Sequence, residues 1–248
     1  LVARSRLFHF GYPPLMPAML ADDGAELVAM FTRVRNLGVA TSLDMTLPDP
    51  DGPAGAVNWR ALLARVLPLV DLFTPSLEEL LYMLAPERWA ALCDAVGETD
   101  PVEAIAAGLV QDLAAEAAAL GAAIVFLKAG RRGGYLRTGA LAELRARTSL
   151  PLPASDNVAQ WLAPLPVEAA RFRNACGAGD AAVAGFLTAL LRGEDVVTAG
   201  RAAMVAGRDS LYGVDAFSGL GAWEHLQDEA RRTTWPPPGP APRDHASG

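Results

Sequence analysis

Two periodicities alternate along this chain. Short apolar runs at residues 7–10, 39–44, 69–74 and 123–128 read as strands covered on both faces. Between them apolar positions recur at three and four residues. That spacing predicts helices over 26–36, 59–67 and 76–84, and a long one carrying Val102, Ile105, Leu109, Leu113 and Leu120 on one face. Strand and helix in alternation predict an α/β fold, a mostly parallel sheet with crossover helices. Ligands bind such sheets beyond the carboxyl ends of the strands, which directs attention to the loops after Asp44, Thr74 and Lys128. The proline-bounded stretch 151–166 reads as an insertion with no assigned role. Residues 233–248, rich in proline and poor in aliphatic side chains, read as a disordered tail.

The clearest helical face lies in the last third of the chain. Val183, Phe186, Leu187, Leu190 and Leu191 share one side of a helix that Arg192 and Gly193 end, and a second helical pattern covers 196–211. The run Asn174-Ala-Cys-Gly-Ala-Gly-Asp180 opens directly into the first of these helices. Gly177, Ala178 and Gly179 therefore sit at a helix N-terminus, where free N–H groups and the positive end of the dipole attract an anion and small residues let a phosphate approach. A fixed carboxylate at Asp180 would repel a resting phosphate. It makes sense as the acceptor of a proton from a hydroxyl attacking that phosphate, with the adjacent amides stabilising the group in transfer. Bland readings compete: an aspartate in a first helical turn complements the dipole, and a Gly-Ala-Gly turn permits tight packing. The same residues also satisfy the dinucleotide pattern G-x-G-x-x-A, although that pattern belongs in a first strand–turn–helix unit and a helical stretch follows here instead.

Composition narrows the field. With 248 residues and 52% hydrophobic content the chain can bury the core of one good-sized domain. A net charge of −7 argues against a broad nucleic-acid face. Cys93 and Cys176 have no metal-ligand spacing and suit a reducing compartment. The apolar run 117–127 is too short to span a membrane, and residues 1–11 lack a secretion signal's core. A cytoplasmic protein, free of nucleic-acid and membrane partners, is the expectation.

Two more loops carry candidate chemistry. In Lys128-Ala-Gly130-Arg-Arg-Gly133-Gly134-Tyr135 the glycines permit a tight reversal into a strand at 135–138, along whose backbone a nucleotide could lie; taken by itself, an ordinary hairpin with solvated arginines is the favoured explanation. Ser76 and Glu79 form the capping pattern S-x-x-E, which is explanation enough, yet Glu79 could also orient water on a phosphate-bound Mg²⁺. His9, ending the first strand, reads as a satisfied buried side chain, and His225 and His245 as surface or tail residues.

Taken in order, the strand followed by P-S-L-E-E, the strand ending K-A-G-R-R-G-G, and N-A-C-G-A-G-D-A-A-V-A-G-F resemble the ribokinase-like, or PfkB, carbohydrate kinases over roughly residues 5–225. The resemblance implies a three-layer ribokinase-like fold and ATP-dependent, Mg²⁺-assisted transfer of the γ-phosphoryl group to a hydroxyl of a sugar or related small molecule. Asp180 then matches the catalytic base and Gly177, Ala178 and Gly179 the anion hole. Lys128, Gly130 and Gly133 match the nucleotide loop, with Lys128 where the family often has Thr. Glu79 matches a glutamate associated with Mg²⁺ and phosphate, and Ser76 stands where that motif has Asn. Asp44-Met-Thr-Leu-Pro48 lacks the basic residue many members carry there, and Asn174 replaces a residue of some members' monovalent-cation site, so K⁺ activation is not expected. The strand, β lid and acceptor-binding residues that usually precede the segment 7–19 are not seen. Residues 1–232 are therefore expected to form an N-terminally incomplete kinase domain, which could bind ATP without catalysis and whose apolar edge a second copy could cover as a homodimer.

Overall fold

A computed structural model describes residues 1–97 and 99–232, so the predicted tail and His245 lie outside the described residues. The chain runs β1 (Leu7–Phe10), α1 (Pro17–Asn36), β2 (Ala40–Leu43), α2 (Trp59–Val66), β3 (Leu72–Phe73), α3 (Leu77–Leu84), α4 (Pro86–Val96), α5 (Pro101–Ala104), α6 (Ala107–Ala119) and β4 (Ile124–Lys128). It continues through β5 (Gly134–Thr138), α7 (Ala142–Arg147), β6 (Ala159–Leu162), α8 (Ala178–Leu191), α9 (Val196–Ser210) and α10 (Trp223–Ala230). The strands form one sheet in sequence order, β1 to β4 parallel and β5 and β6 antiparallel.

Alternation along the strands assigns the two faces. Leu43, Phe73, Val125, Leu127 and Tyr135 pack with Leu27 and Phe31 of α1, Leu62 and Leu63 of α2, Leu80 and Leu81 of α3, and Val110 of α6. Ala40, Leu72, Ile124, Phe126 and Leu136 face the other way, onto Phe186 and Leu190 of α8 and Ala199 and Ala203 of α9. The result is helix, sheet, helix: the expected three-layer α/β fold. Small residues bring α8 and α9 together, since a side chain at Gly185 would place its Cβ 2.8 Å from Ala206 Cβ and 2.9 Å from the Ala202 carbonyl oxygen.

Three elements differ from the sequence expectation. The long helix over 102–120 is two, α5 and α6, because Ile105 and Ala106 turn extended with ψ of 120° and 143°. The carbonyls of Val102 and Ile105 at the break accept from Arg132 Nη1 at 2.6 and 2.7 Å. The stretch 151–166 contains a strand, β6, which pairs antiparallel with β5. Helix α1 begins earlier than residue 26 but is interrupted at Ala21–Gly24, where Asp22, Asp23 and Gly24 take φ of 51°, 54° and 78°. Asp and Gly are the residue types that tolerate this left-handed backbone.

Candidate functional site

The carboxyl ends of the parallel strands gather the candidate residues. Beyond β1, Tyr12 takes a left-handed backbone (φ 62°) ahead of Pro13 and Pro14, and its N–H donates to the Asp44 carbonyl at 3.2 Å. Beyond β2 comes Asp44, whose N–H donates to the Phe10 carbonyl at 2.9 Å. Beyond β3 comes Ser76, bridged in parallel to Lys128 at the end of β4. Short strands thus extend their ladders into the loops and hold four side chains in a row.

Asp180 arrives from the other layer. Helix α8 starts after Gly177, at φ 81°, and no side chain caps it, so its first amides have no intrahelical acceptor. The left-handed turn requires Gly177, because a Cβ there would also collide with Cβ of Ala216. Asn174 braces the approach: its Oδ1 accepts from Cys176 N–H at 2.7 Å and its Nδ2 donates to the Val214 carbonyl at 3.3 Å. Asp180 does not cap α8. It is exposed, and its Oδ1 accepts from the Tyr12 hydroxyl.

Charge at this end is unbalanced. Lys128 Nζ lies 2.7 and 2.8 Å from the two oxygens of Asp44, a pair with side chains only 12% and 2% exposed. Burial pushes the Asp44 carboxyl above the usual range, opposed by the charge of Lys128. Glu79 is raised for the same reason, and Lys128 opposes this too. The Tyr12 phenol is driven upward by burial, then by its bond to Asp180. His9 is held below 6.5, chiefly by desolvation and against the charges of Asp44 and Asp180. It was expected to be buried, but its ring stays accessible, with Nδ1 3.0 Å from Ser42 Oγ.

Other sequence candidates divide. Ser76 and Glu79 form the full capping box: Glu79 N–H donates to Ser76 Oγ at 3.3 Å and Ser76 N–H donates to Glu79 Oε2 at 2.6 Å. That leaves Glu79 beside Lys128 and Asp44 with one oxygen engaged. Gly130 and Gly133, with φ of 54° and 89°, make the hairpin between β4 and β5, and Gly133 packs too tightly on Leu162 and Pro164 for any side chain. The arginines of that hairpin are not both solvated as expected; Arg132 caps the α5 break and lies over the Trp161 ring. Gly177–Gly179 do not form a dinucleotide turn, since a long segment separates β6 from α8 and α9 stands where a second strand belongs. Tyr12 escaped the sequence reading, although a left-handed Gly-Tyr-Pro-Pro turn at a strand's carboxyl end was a usable signal.

A cavity of about 480 Å³ opens elsewhere, between the segment after β6 and the ends of α9 and α10. Its charged groups close on one another. Arg208 bridges Asp209 and Glu229, His225 Nε2 is 3.1 Å from Asp209 Oδ2, and Arg171 lies over the Tyr212 ring while pairing with Glu168. None of the sequence candidates lines it.

Comparison with known proteins follows the same lines. The pattern of the pfkB family carbohydrate kinases matches residues 18–210. Among solved structures, the ribokinase of Thermotoga maritima is 18% identical with a TM-score of 0.55, over 93% of this chain and 58% of that one. Aminoimidazole riboside kinase from Salmonella enterica, complexed with aminoimidazole riboside and an ATP analog, is 20% identical with a TM-score of 0.59, over 91% and 63% of the two chains. Fructokinase from Vibrio cholerae, in a form with fructose, ADP and calcium ion bound, is 17% identical with a TM-score of 0.59, over 91% and 61%. These identities establish a shared fold, and the chain spans about three-fifths of each of these structures. No curated protein matches it.

Proposed function

Because the chain belongs to the pfkB family of carbohydrate kinases, we propose that it transfers the γ-phosphoryl group of ATP to a hydroxyl of a sugar or related small molecule, with Asp180 as the base. The observation that carries this is the Tyr12 hydroxyl donating to Asp180 beside the uncapped start of α8. A hydroxyl at the base is what an acceptor alcohol would present. Asp180 takes the proton late in transfer, as bond formation to phosphorus makes the attacking hydroxyl acidic. The amides of Gly177, Ala178 and Gly179 hold the phosphoryl oxygens, and alignment supplies most of the acceleration.

The nucleotide runs from α8 along the Lys128–Gly133 hairpin. Among the described residues no group of three or more His, Cys, Asp or Glu could hold a metal ion, which suits a Mg²⁺ carried by the nucleotide's phosphates and met through water by Glu79. Bound there, the ion would neutralise phosphate charge. A cytoplasmic setting agrees with the free thiols of Cys93 and Cys176, and among the described residues no helix is long and apolar enough to cross a membrane. A homodimer would form through the edge of β1, which among the described residues borders β2 alone.

A second reading, nucleotide binding without turnover, is favoured by the segment Asp44-Met-Thr-Leu-Pro48, which lacks the basic residue that many members carry there. One experiment separates the two. ADP release is measured with Mg·ATP and ribose, fructose or aminoimidazole riboside as acceptor, and ATP binding is followed by calorimetry, for the wild type and Asp180→Asn. The proposal expects retained binding and turnover lower by about 10²-fold in the variant. Binding with no turnover on any acceptor supports the second reading, and near-normal turnover in the variant removes Asp180 from the chemistry.

A further inference from the structure

From its position, we infer that Lys128 contacts the transferring phosphoryl group itself, exchanging one of its bonds to Asp44 for a phosphoryl oxygen. This rests on the kinase reading above and adds to it a residue that acts on the γ-phosphoryl group rather than on the nucleotide's body. The carboxylates of Asp44 and Glu79 share this end of the sheet with that of Asp180, and each of the first two is opposed by the charge of Lys128. His9 feels the charges of Asp44, Lys128 and Asp180 together. Lys128 is the cation among these groups, and a polyanionic nucleotide entering here meets repulsion from every other charge.

Its placement is specific. The β-carbon position of Gly179 has Lys128 Nζ at 3.9 Å and Lys128 Cδ at 4.0 Å as its nearest neighbours beyond its own helix, so the ammonium stands over the first turn of α8, which no side chain caps. Asp44 grips Nζ with both oxygens and keeps it there. An ammonium carries three donors, and such a point charge can turn from one acceptor to another without moving its stem. With a phosphoryl group at the amides, Lys128 keeps one bond to Asp44 and gives another to the phosphoryl oxygen. Because Lys128 is held in place before the nucleotide arrives, little ordering cost remains at the moment of transfer.

The test compares ATP with ADP, which lacks the group in question. Calorimetric titration with each Mg·nucleotide is run on the wild type, on Lys128→Met, and on Lys128→Met combined with Asp44→Asn. The double variant removes the pair without leaving a buried charge and serves if the single variant does not fold. A hydrogen bond to a charged group corresponds to roughly 10- to 100-fold in affinity. ATP affinity should fall by about that factor in a folded variant while ADP affinity changes less than about two-fold. Equal loss for both nucleotides, or loss for neither, overturns the assignment while leaving the kinase reading intact. A wild type that binds neither nucleotide overturns both.

Discussion

The two ends of the same parallel strands each bury an aspartate, and each is satisfied differently. At the amino end Asp71, just before β3, receives Arg35 at 3.1 Å and Arg147 on Oδ1, and the Thr41 N–H at 2.8 Å and hydroxyl at 3.1 Å on Oδ2. At the carboxyl end Asp44 has one lysine and, around it, the carboxylates of Glu79 and Asp180. The first cluster closes on itself and fastens α1 and α7 to the sheet. The second carries surplus negative charge, an accessible histidine, a left-handed tyrosine and an uncapped helix. Surplus carboxylate charge beside a helix start that no side chain caps, set against an end that spends two arginines on one carboxylate, is the contrast expected where a ligand binds.

The largest effect should come from the closed end. Asp71→Ala strands the Arg147 guanidinium and the Thr41 amide, leaves Arg35 with Glu143 alone, and should lower unfolding free energy by about 3 kcal/mol in urea titration. Nucleotide affinity of the folded fraction should stay as in the wild type, and a change there would show the two ends coupled. Next, Gly177→Ala forces a left-handed alanine against Ala216, and about 1–2 kcal/mol of strain should appear as a roughly ten-fold loss of ATP affinity by calorimetry. Tyr12→Phe removes one hydrogen bond, so stability should move by no more than about 1 kcal/mol. Asp180, freed, should then admit water, and slow ATP hydrolysis without acceptor should rise a few-fold; unchanged hydrolysis would mean that Tyr12 does not screen the base.

The smallest effect is a pH dependence. His9 binds its proton less readily folded than at its ordinary 6.5, so the unfolded chain protonates first as pH falls. Its contribution is complete above pH 6.5 and is lost as the pH drops through 6.5 toward the folded value. Melting temperature between pH 7.5 and 5.5 should therefore fall slightly more in the wild type than in His9→Gln. The opposite slope would mean that a protonated His9 gains Asp44 or Asp180 as a partner.

What the chain discloses by itself follows from range. Apolar runs reveal β1 to β4, and the small residues Gly177–Gly179 before an apolar helical face reveal the start of α8, because each signal is local. Ser76 and Glu79 are equally legible, being three residues apart. The Lys128–Asp44 pair joins residues 84 apart and Tyr12 meets Asp180 across 168, separations that no periodicity encodes. β6 was hidden because its four residues bury only Leu162. The break between α5 and α6 was hidden because its cause, an arginine taking two carbonyls, lies 27 and 30 residues away.

The seam between α8 and α9 has a mechanical consequence. A helix is stiff along its axis, so one wedged at its middle by Gly185 against Ala202 and Ala206 behaves as a lever on a fulcrum. Any methyl group added at the fulcrum tips the far end, where the amides proposed to hold phosphate lie, without touching those residues. Aim at the ligand is thus calibrated from the interior, and its fine adjustment belongs to the smallest side chains in the layer.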